Sequence, residues 1–357
     1  MKVLVVGNMG YVGPVLTQHL RRANPQASLI GFDAGFFAHC LMGSSPLPET
    51  HLDRQVFGDV RRIDKTIFEG VDAVVNLAAI SNDPMGNRYE DATLAINYKA
   101  AVELAATAKR AGVQSYVFAS SCSVYGCAEE EAKQESSRLD PLTAYARSKV
   151  MAEKELIPMA DNRFTVTCLR FATACGMSDR LRLDLVLNDF VTGALTQKKI
   201  VVMSDGTPWR PLINVKDMAR AIEWAITRGA GHGGNGLVVN VGSNEWNYQV
   251  KDLADAVAQV IPGVEVSINK NAPPDKRSYR VSYDLFKKLA PKFQPLTDLK
   301  STIHELKEGL ERARFSDLAY RESQYMRLNV ISRFRETGVL TDSLEWSCSV
   351  NQAGAVH

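Results

Sequence analysis

At 357 residues, 45% of them hydrophobic, the chain can bury one large core or two closely packed domains. Its net charge of +2 is spread along the chain, which argues against nucleic acid or a membrane surface as a partner. Six cysteines without a C-x-x-C pair, and no clustered histidines, argue against a metal site and read as reduced thiols.

The chain opens on a strand-like run, Lys2–Val6, without the basic flank, apolar stretch and cleavage site of a signal peptide. No apolar run approaches the roughly 20 residues that span a bilayer, so a cytoplasmic protein is expected. Further strands are predicted at Ser28–Asp33, Gln55–Gly58, Ala73–Leu77, Ser115–Ser120 and Phe164–Arg170, with helices at Val12–Ala23, Asp91–Gly112 and Thr143–Leu156. The strands carry apolar residues on both faces, as a sheet covered on both sides requires. Alternation of the two element types predicts an α/β fold of the Rossmann kind, a doubly wound parallel sheet with right-handed crossovers.

After about residue 175 the rhythm loosens. A helix is expected at Leu183–Thr196, a strand at Ile200–Met203, a turn at Ser204–Pro208, a helix at Val215–Thr227 and a strand at Leu237–Val241. The predicted division is a dinucleotide-binding domain over 1–175, to which segments of about 205–245 return, and a smaller α/β substrate-binding portion over 176–315. A helical tail over 316–357 follows, its helix at Ser316–Thr337 closed by Gly338.

Gly7-Asn8-Met9-Gly10-Tyr11-Val12-Gly13 follows the first strand and opens the first helix. Glycines there let the backbone turn tightly and approach a diphosphate, while the helix N-terminus offers N–H donors to the anion. Asp33 stands 20 residues beyond Gly13, at the end of the second strand. A carboxylate at that point accepts bonds from adenosine ribose hydroxyls and repels a 2′-phosphate, so NAD is the expected cofactor. Gly231-x-Gly233-x-x-Gly236 fits a glycine pattern too, but it lies after a helix and before a strand and reads as a loop.

Tyr145 and Lys149, four residues apart on a predicted helix, share one face. A phenol with an ordinary pKa near 10 is a poor base at neutral pH. A neighbouring ammonium and a positive nicotinamide ring favour the phenolate, which can then take a hydroxyl proton as hydride leaves the same carbon. Tyr283 and Lys287 show the same spacing beyond the Pro-rich segment and are expected to form a surface pair.

These motifs, with Gly58-Asp59-Val60, Asn76-Leu77-Ala78-Ala79, Asn97, Ser120-Ser121-Cys122-Ser123-Val124-Tyr125-Gly126, Leu169-Arg170-Phe171 and Trp209-Arg210-Pro211-Leu212-Ile213-Asn214-Val215, resemble the extended short-chain dehydrogenase/reductase family. The likeness is to its nucleotide-sugar epimerase and dehydratase branch and runs from residue 1 to about 290. It implies that Asp59 and Val60 border the adenine, that Leu77, Ala78 and Ala79 line the middle of the cofactor, and that Asn97 belongs to the same set. It also implies that Ser121 hydrogen-bonds the reacting hydroxyl beside Tyr145, and that Lys149 holds the nicotinamide ribose. Arg210 would clamp a substrate diphosphate, a task suited to a guanidinium, with Arg277 or Arg280 as a second contact. Ser81, Asn82, Ser123, Thr173 and Asn188 would complete the substrate wall.

Departures from the family pattern narrow the chemistry. Cys122 and Ser123 stand where sugar 4,6-dehydratases carry an Asp-Glu pair, which argues against ordinary dehydration. Ser123 occupies the cysteine position of epimerases acting at C3 and C5, Thr173 that of an asparagine in many 4-epimerases, and Asn76 that of a common histidine. The resemblance therefore implies a nucleotide-sugar epimerase, C4 being the first candidate carbon. A dehydrogenase or reductase with net redox, a 3,5-type epimerase and a non-catalytic NAD sensor are the alternatives. It also implies a homodimer paired through the helices over Asp91–Gly112 and Thr143–Leu156.

Overall fold

The computed structural model describes residues 1–43, 46–126, 131–272 and 278–347. Its elements in chain order begin with β1 (Lys2–Val6), α1 (Val12–Ala23), β2 (Ser28–Asp33), β3 (Arg54–Phe57), β4 (Ala73–Asn76), α2 (Asp83–Arg88) and α3 (Glu90–Leu94). A wider helical turn, Ala95–Ala100, leads into α4 (Ala101–Arg110), followed by β5 (Ser115–Ser121), α5 (Ala144–Leu156), β6 (Thr165–Phe171) and β7 (Thr173–Cys175). Then come α6 (Val186–Thr196), β8 (Lys199–Val202), β9 (Trp209–Asn214), α7 (Val215–Thr227), β10 (Gly236–Val241), β11 (Asn247–Gln249), α8 (Val250–Val260) and β12 (Glu265–Ile268). The chain closes with α9 (Asp284–Leu289), α10 (Leu299–Arg312) and α11 (Arg327–Glu336).

Seven strands form one parallel sheet in the order β10-β6-β5-β4-β1-β2-β3. The period of two along a strand sorts its side chains to opposite faces. Val3 and Val5 of β1 pack with Leu16 of α1 and Ile222 of α7, whereas Leu4 and Val6 pack with Leu104 of α4 and Leu156 of α5. From β1 the chain steps out to β2 and β3, then crosses back to β4 on the other side. The reversal opens a crevice beyond the strand ends between β1 and β4, where α/β sheets bind ligands.

The remaining elements form a second body of packing. Strands β7, β9 and β11 make a small sheet, and β8 pairs with β12. Helices α6, α8 and α10 bury Leu187, Phe190, Leu253, Val257, Ile303 and Leu306 in one cluster. Neither α8 nor α10 was anticipated from sequence, although both open on reciprocal caps, Gln249 with Asp252 and Asp298 with Ser301.

The helix expected over Ser316–Thr337 is confined to Arg327–Glu336. Upstream, Tyr320 is buried with its hydroxyl on Asp189 Oδ1 (2.8 Å), and Arg321 pairs with Asp189 Oδ2 (2.8 Å). Those long-range anchors hold residues 316–326 against α6 instead of in a continuous helix. Gly338 does adopt the left-handed conformation (φ 72°) that ends a helix. Among the described residues no helix is long and apolar enough to cross a membrane, no metal-ligating cluster occurs, and Cys40, Cys122, Cys168 and Cys175 are free thiols.

Candidate active site

The crevice is a cavity of about 900 Å³ lined from both bodies of packing. Its floor is the loop between β1 and α1. Gly7 sits at φ 85°, and a Cβ there would lie 2.5 Å from Ala78 N; one on Gly13 would lie 1.9 Å from Asn8 O. Loop, strand end and helix therefore approach as only glycine permits. Helix α1 begins without a side-chain cap, so its first N–H groups remain available to an anion. Gly7, Gly10, Tyr11 and Val12 line the cavity, and the cradle fits a dinucleotide diphosphate. Met9 and Gly13 sit behind it, shaping the turn without lining the cavity.

Asp33 braces this loop. Its Oδ2 accepts from Met9 N (2.9 Å) and its Oδ1 from Gly35 N (2.7 Å), leaving further lone pairs for ribose hydroxyls. Burial raises its pKa, and the two backbone bonds oppose that shift. Asp59, Val60, Leu77, Ala78 and Ala79 also line the cavity. Asp59 is already engaged by Arg61, through Nε to Oδ1 (2.9 Å) and Nη2 to Oδ2 (2.6 Å). Asn97 does not reach the wall: it is fully buried, accepts from Ile80 N (2.8 Å) and donates to Ile80 O (2.9 Å). Its place is to hold the wall segment that follows β4.

Tyr145, Lys149 and Ser121 converge where β5 ends and α5 begins, and all three line the cavity. Thr143 caps α5 by accepting from Ala146 N (3.2 Å), and its hydroxyl donates to Asp83 Oδ1 (2.7 Å). The Tyr145 phenol is hydrogen-bonded to the Ser121 side chain. Lys149 Nζ donates to Ala119 O (2.7 Å) and stands 5.6 Å from the Tyr145 ring. The electrostatics differ from the expected phenolate. Burial pushes Tyr145 up to about 12, while the Ser121 hydrogen bond and Arg182 act downward. Lys149 falls to about 7, again through burial, with Glu153 opposing. Burial disfavours both charges, and proton placement within the dyad is the quantity that a bound cation or dipole can tip.

The Lys149 shift has a measurable consequence for stability. An unfolded lysine keeps its proton to about pH 10.5, whereas the folded one releases it near 7. Between those values the unfolded chain binds more protons, so stability rises with pH, by at most about 1.4 kcal/mol per unit from this one group. Urea unfolding of cofactor-free protein at pH 7 and 9 is expected to show wild type gaining on Lys149→Met over that interval. Parallel behaviour of the two proteins would contradict the shift.

Ser81, Asn82, Ser123, Thr173 and Arg210 line the cavity as well. Asn188 does not: it is fully buried, donating to Arg182 O (2.9 Å) and accepting from Gly176 N (3.0 Å). Arg280 is absent from the wall and lies over the Trp209 ring at 5.3 Å, and Arg277 falls outside the described residues. Cys122 is fully buried, with Sγ donating to Arg170 O (3.1 Å), and burial drives its pKa well up. Tyr283 is 2% exposed, so the expected surface pair is a core tyrosine and an exposed lysine. Gly242 makes the room, since a Cβ there would lie 2.6 Å from Tyr283 Cζ.

Several residues of the site were missed. Arg182 and Asp184 form a buried pair (Nε to Oδ1, 2.9 Å) that reaches across to Ser81 Oγ (2.9 Å) and Asn82 Nδ2 (2.6 Å). Glu153, one turn beyond Lys149, accepts from Arg170 Nη2 (2.6 Å) and Ser120 Oγ (2.5 Å) behind the dyad. Its spacing of four from Lys149 was a usable signal; Arg182-x-Asp184 lies in a loop and carried none.

Comparison with known proteins agrees with this architecture. A sequence profile described as the NAD dependent epimerase/dehydratase family matches residues 3–242. The chain is 29% identical over 242 residues to a Bacillus subtilis protein named "Uncharacterized UDP-glucose epimerase YtcB", covering 62% of this chain and 71% of that one. It is 26% identical over 277 residues to the UDP-glucose 4-epimerase of Streptomyces lividans, covering 72% and 80%. Among solved structures, MoeE5 in complex with UDP-glucose and NAD shares the fold with a TM-score of 0.75 at 24% identity, over 88% of this chain and all of that one. UDP-glucuronic acid 4-epimerase from Bacillus cereus superposes with a TM-score of 0.74 at 20% identity, over 87% and 99%.

Proposed function

The chain belongs to the NAD dependent epimerase/dehydratase family, and from that premise we propose that it is a nucleotide-sugar epimerase acting at C4. One observation carries the reading: Tyr145, Ser121 and Lys149 meet the glycine cradle and Asp33 in a single cavity that Arg210 also lines. Bound NAD supplies an acceptor and then a donor of hydride, with no net redox change. Once tipped by the positive nicotinamide ring of bound NAD to release its own proton, Tyr145 Oη takes the proton of the sugar hydroxyl and later returns it, while Ser121 Oγ holds that oxygen in line. Lys149 tunes the phenol and orients the ribose, and Arg210 binds the substrate diphosphate. The wall formed by Ser81, Asn82, Ser123 and Thr173 surrounds the sugar.

The position of Cys122 supports epimerisation over elimination or C3/C5 chemistry, because a buried thiol donating to Arg170 O is not poised as an acid or base. The relatives named UDP-glucose 4-epimerase support C4 and a uridine nucleotide. On the same reading two copies pair through α4 and α5. A panel of nucleotide sugars, followed for product stereochemistry and absorbance at the NADH band, tests the function. An epimeric pair at equilibrium without NADH accumulation is expected. Stoichiometric NADH, or a dehydrated keto sugar, would replace the reading.

A further inference from the structure

Three arginines stand together in the wall of the cavity and behind it: Arg180, Arg182 and Arg327, exposed by 1%, 7% and 1%. Arg180 pairs with Glu49 (2.7 Å) and Arg182 with Asp184 (2.9 Å). Arg327, at the start of α11, forms no ion pair among the described residues. Its Nη2 donates to Arg180 O (2.8 Å), its Nη1 to Gln324 O (3.3 Å), and its guanidinium covers the Phe37 ring at 4.8 Å. Burial and the neighbouring Arg182 and Arg180 lower its pKa to about 10, with Asp184 opposing, so it remains charged at neutral pH. The Arg327 charge is therefore buried without a carboxylate in contact with it, an arrangement that is costly unless an anion is received there.

The location of Arg327 indicates which anion. Tyr11 O in the glycine loop accepts from Ser178 Oγ (2.7 Å), which accepts from Arg180 N (3.3 Å), and Arg180 O accepts from Arg327. One short segment thus ties Arg327 to the loop that cradles a diphosphate, and both line the same cavity. Phe37, which it covers, lies four residues past Asp33. The tail is also latched beside the adenosine walls. Trp346 Nε1 donates to Ala34 O (2.7 Å), and Arg61, bound to Asp59, donates to Ser343 O (2.7 Å) and Leu344 O (3.1 Å). Leu340, Leu344 and Ile331 are buried against Ile80 and Ile96.

We propose that Arg327 is a ligand of the cofactor diphosphate, carried by a C-terminal tail that is fastened over the adenosine end of the site to retain NAD. The inference rests on NAD occupying this cavity, and the binding of NAD to wild type checks that premise separately.

Calorimetry with NAD, ADP-ribose, adenosine and UDP on wild type, Arg327→Gln and Arg327→Lys tests it. Arg327→Gln is expected to weaken NAD and ADP-ribose about tenfold to a hundredfold, the range of a lost charge-assisted hydrogen bond. Adenosine, which has no diphosphate, should bind as to wild type, and Arg327→Lys should recover part of the loss. Unchanged NAD affinity with loss of UDP would assign the charge to substrate instead. Equal weakening of adenosine and ADP-ribose would reduce Arg327 to a packing role. Should Arg327→Gln fail to fold, the same comparison is read on Arg327→Met, where NAD and ADP-ribose affinities equal to those of wild type overturn the proposal.

Discussion

Tyr145→Phe is expected to bind NAD as wild type does and to lose turnover by about 10²–10⁴-fold, the range attributed to a positioned acid or base. The change removes one oxygen. The ring stays packed beside Gly86, whose Cβ position lies 3.1 Å from Tyr145 Cβ, and the cofactor cradle of Gly7 and Gly13 is untouched. What disappears is the atom hydrogen-bonded to Ser121 at the cavity wall, the only route in the proposed mechanism for the hydroxyl proton. Titration with NAD, followed by steady-state turnover on the active nucleotide sugar, separates the two effects. Near-normal turnover in this variant would sink the mechanism, and loss of NAD binding would show that the phenol is structural.

Glu153→Ala is expected to cost about 3–5 kcal/mol of stability, the penalty for stripping one partner from a buried ion pair. Arg170 and Glu153 are each 5% exposed in their side chains and meet through three hydrogen bonds, Nε to Oε1 (3.0 Å), Nε to Oε2 (3.2 Å) and Nη2 to Oε2 (2.6 Å). Arg170 continues to Tyr125 Oη (3.0 Å), which donates to Asn240 Oδ1 (2.6 Å), so the carboxylate anchors a network joining α5, β6 and β10. Its loss also removes the charge that opposes the downward shift of Lys149, lowering that ammonium further. Urea midpoints for wild type and variant measure the cost; a change below about 1 kcal/mol would mean that water or a rearranged partner replaces the carboxylate.

These two residues mark the limits of legibility. Tyr145 announced itself because its partner Lys149 is one turn away and the pair falls in a recognisable order after the glycines and Asp33. Glu153 is equally close on the same helix, but its partner Arg170 is 17 residues away in another strand. Asn97 and Asn188 show the converse. Their identities suited polar ligands, yet each amide is consumed by backbone groups that would otherwise be buried unpaired. The tail was legible as a helix near Gly338 but not as an anchored strap, since Tyr320 and Arg321 owe their places to Asp189 on α6.

Local interactions account for what the amino-acid order determined alone: β1, α1 and β2 with their boundaries, the glycine turn, the placement of Asp33, and the shared face of Tyr145 and Lys149. Each depends on periodicity, backbone freedom or a spacing of a few residues, and those are properties of a short segment. Only the tertiary structure decided which charges are buried together. Arg182 reaches Ser81 across 101 positions of chain, and Arg327 reaches Arg180 across 147. Desolvation then sets their chemistry, as it raises Tyr145 and lowers Lys149, because burial is a property of the assembled core and not of any one segment.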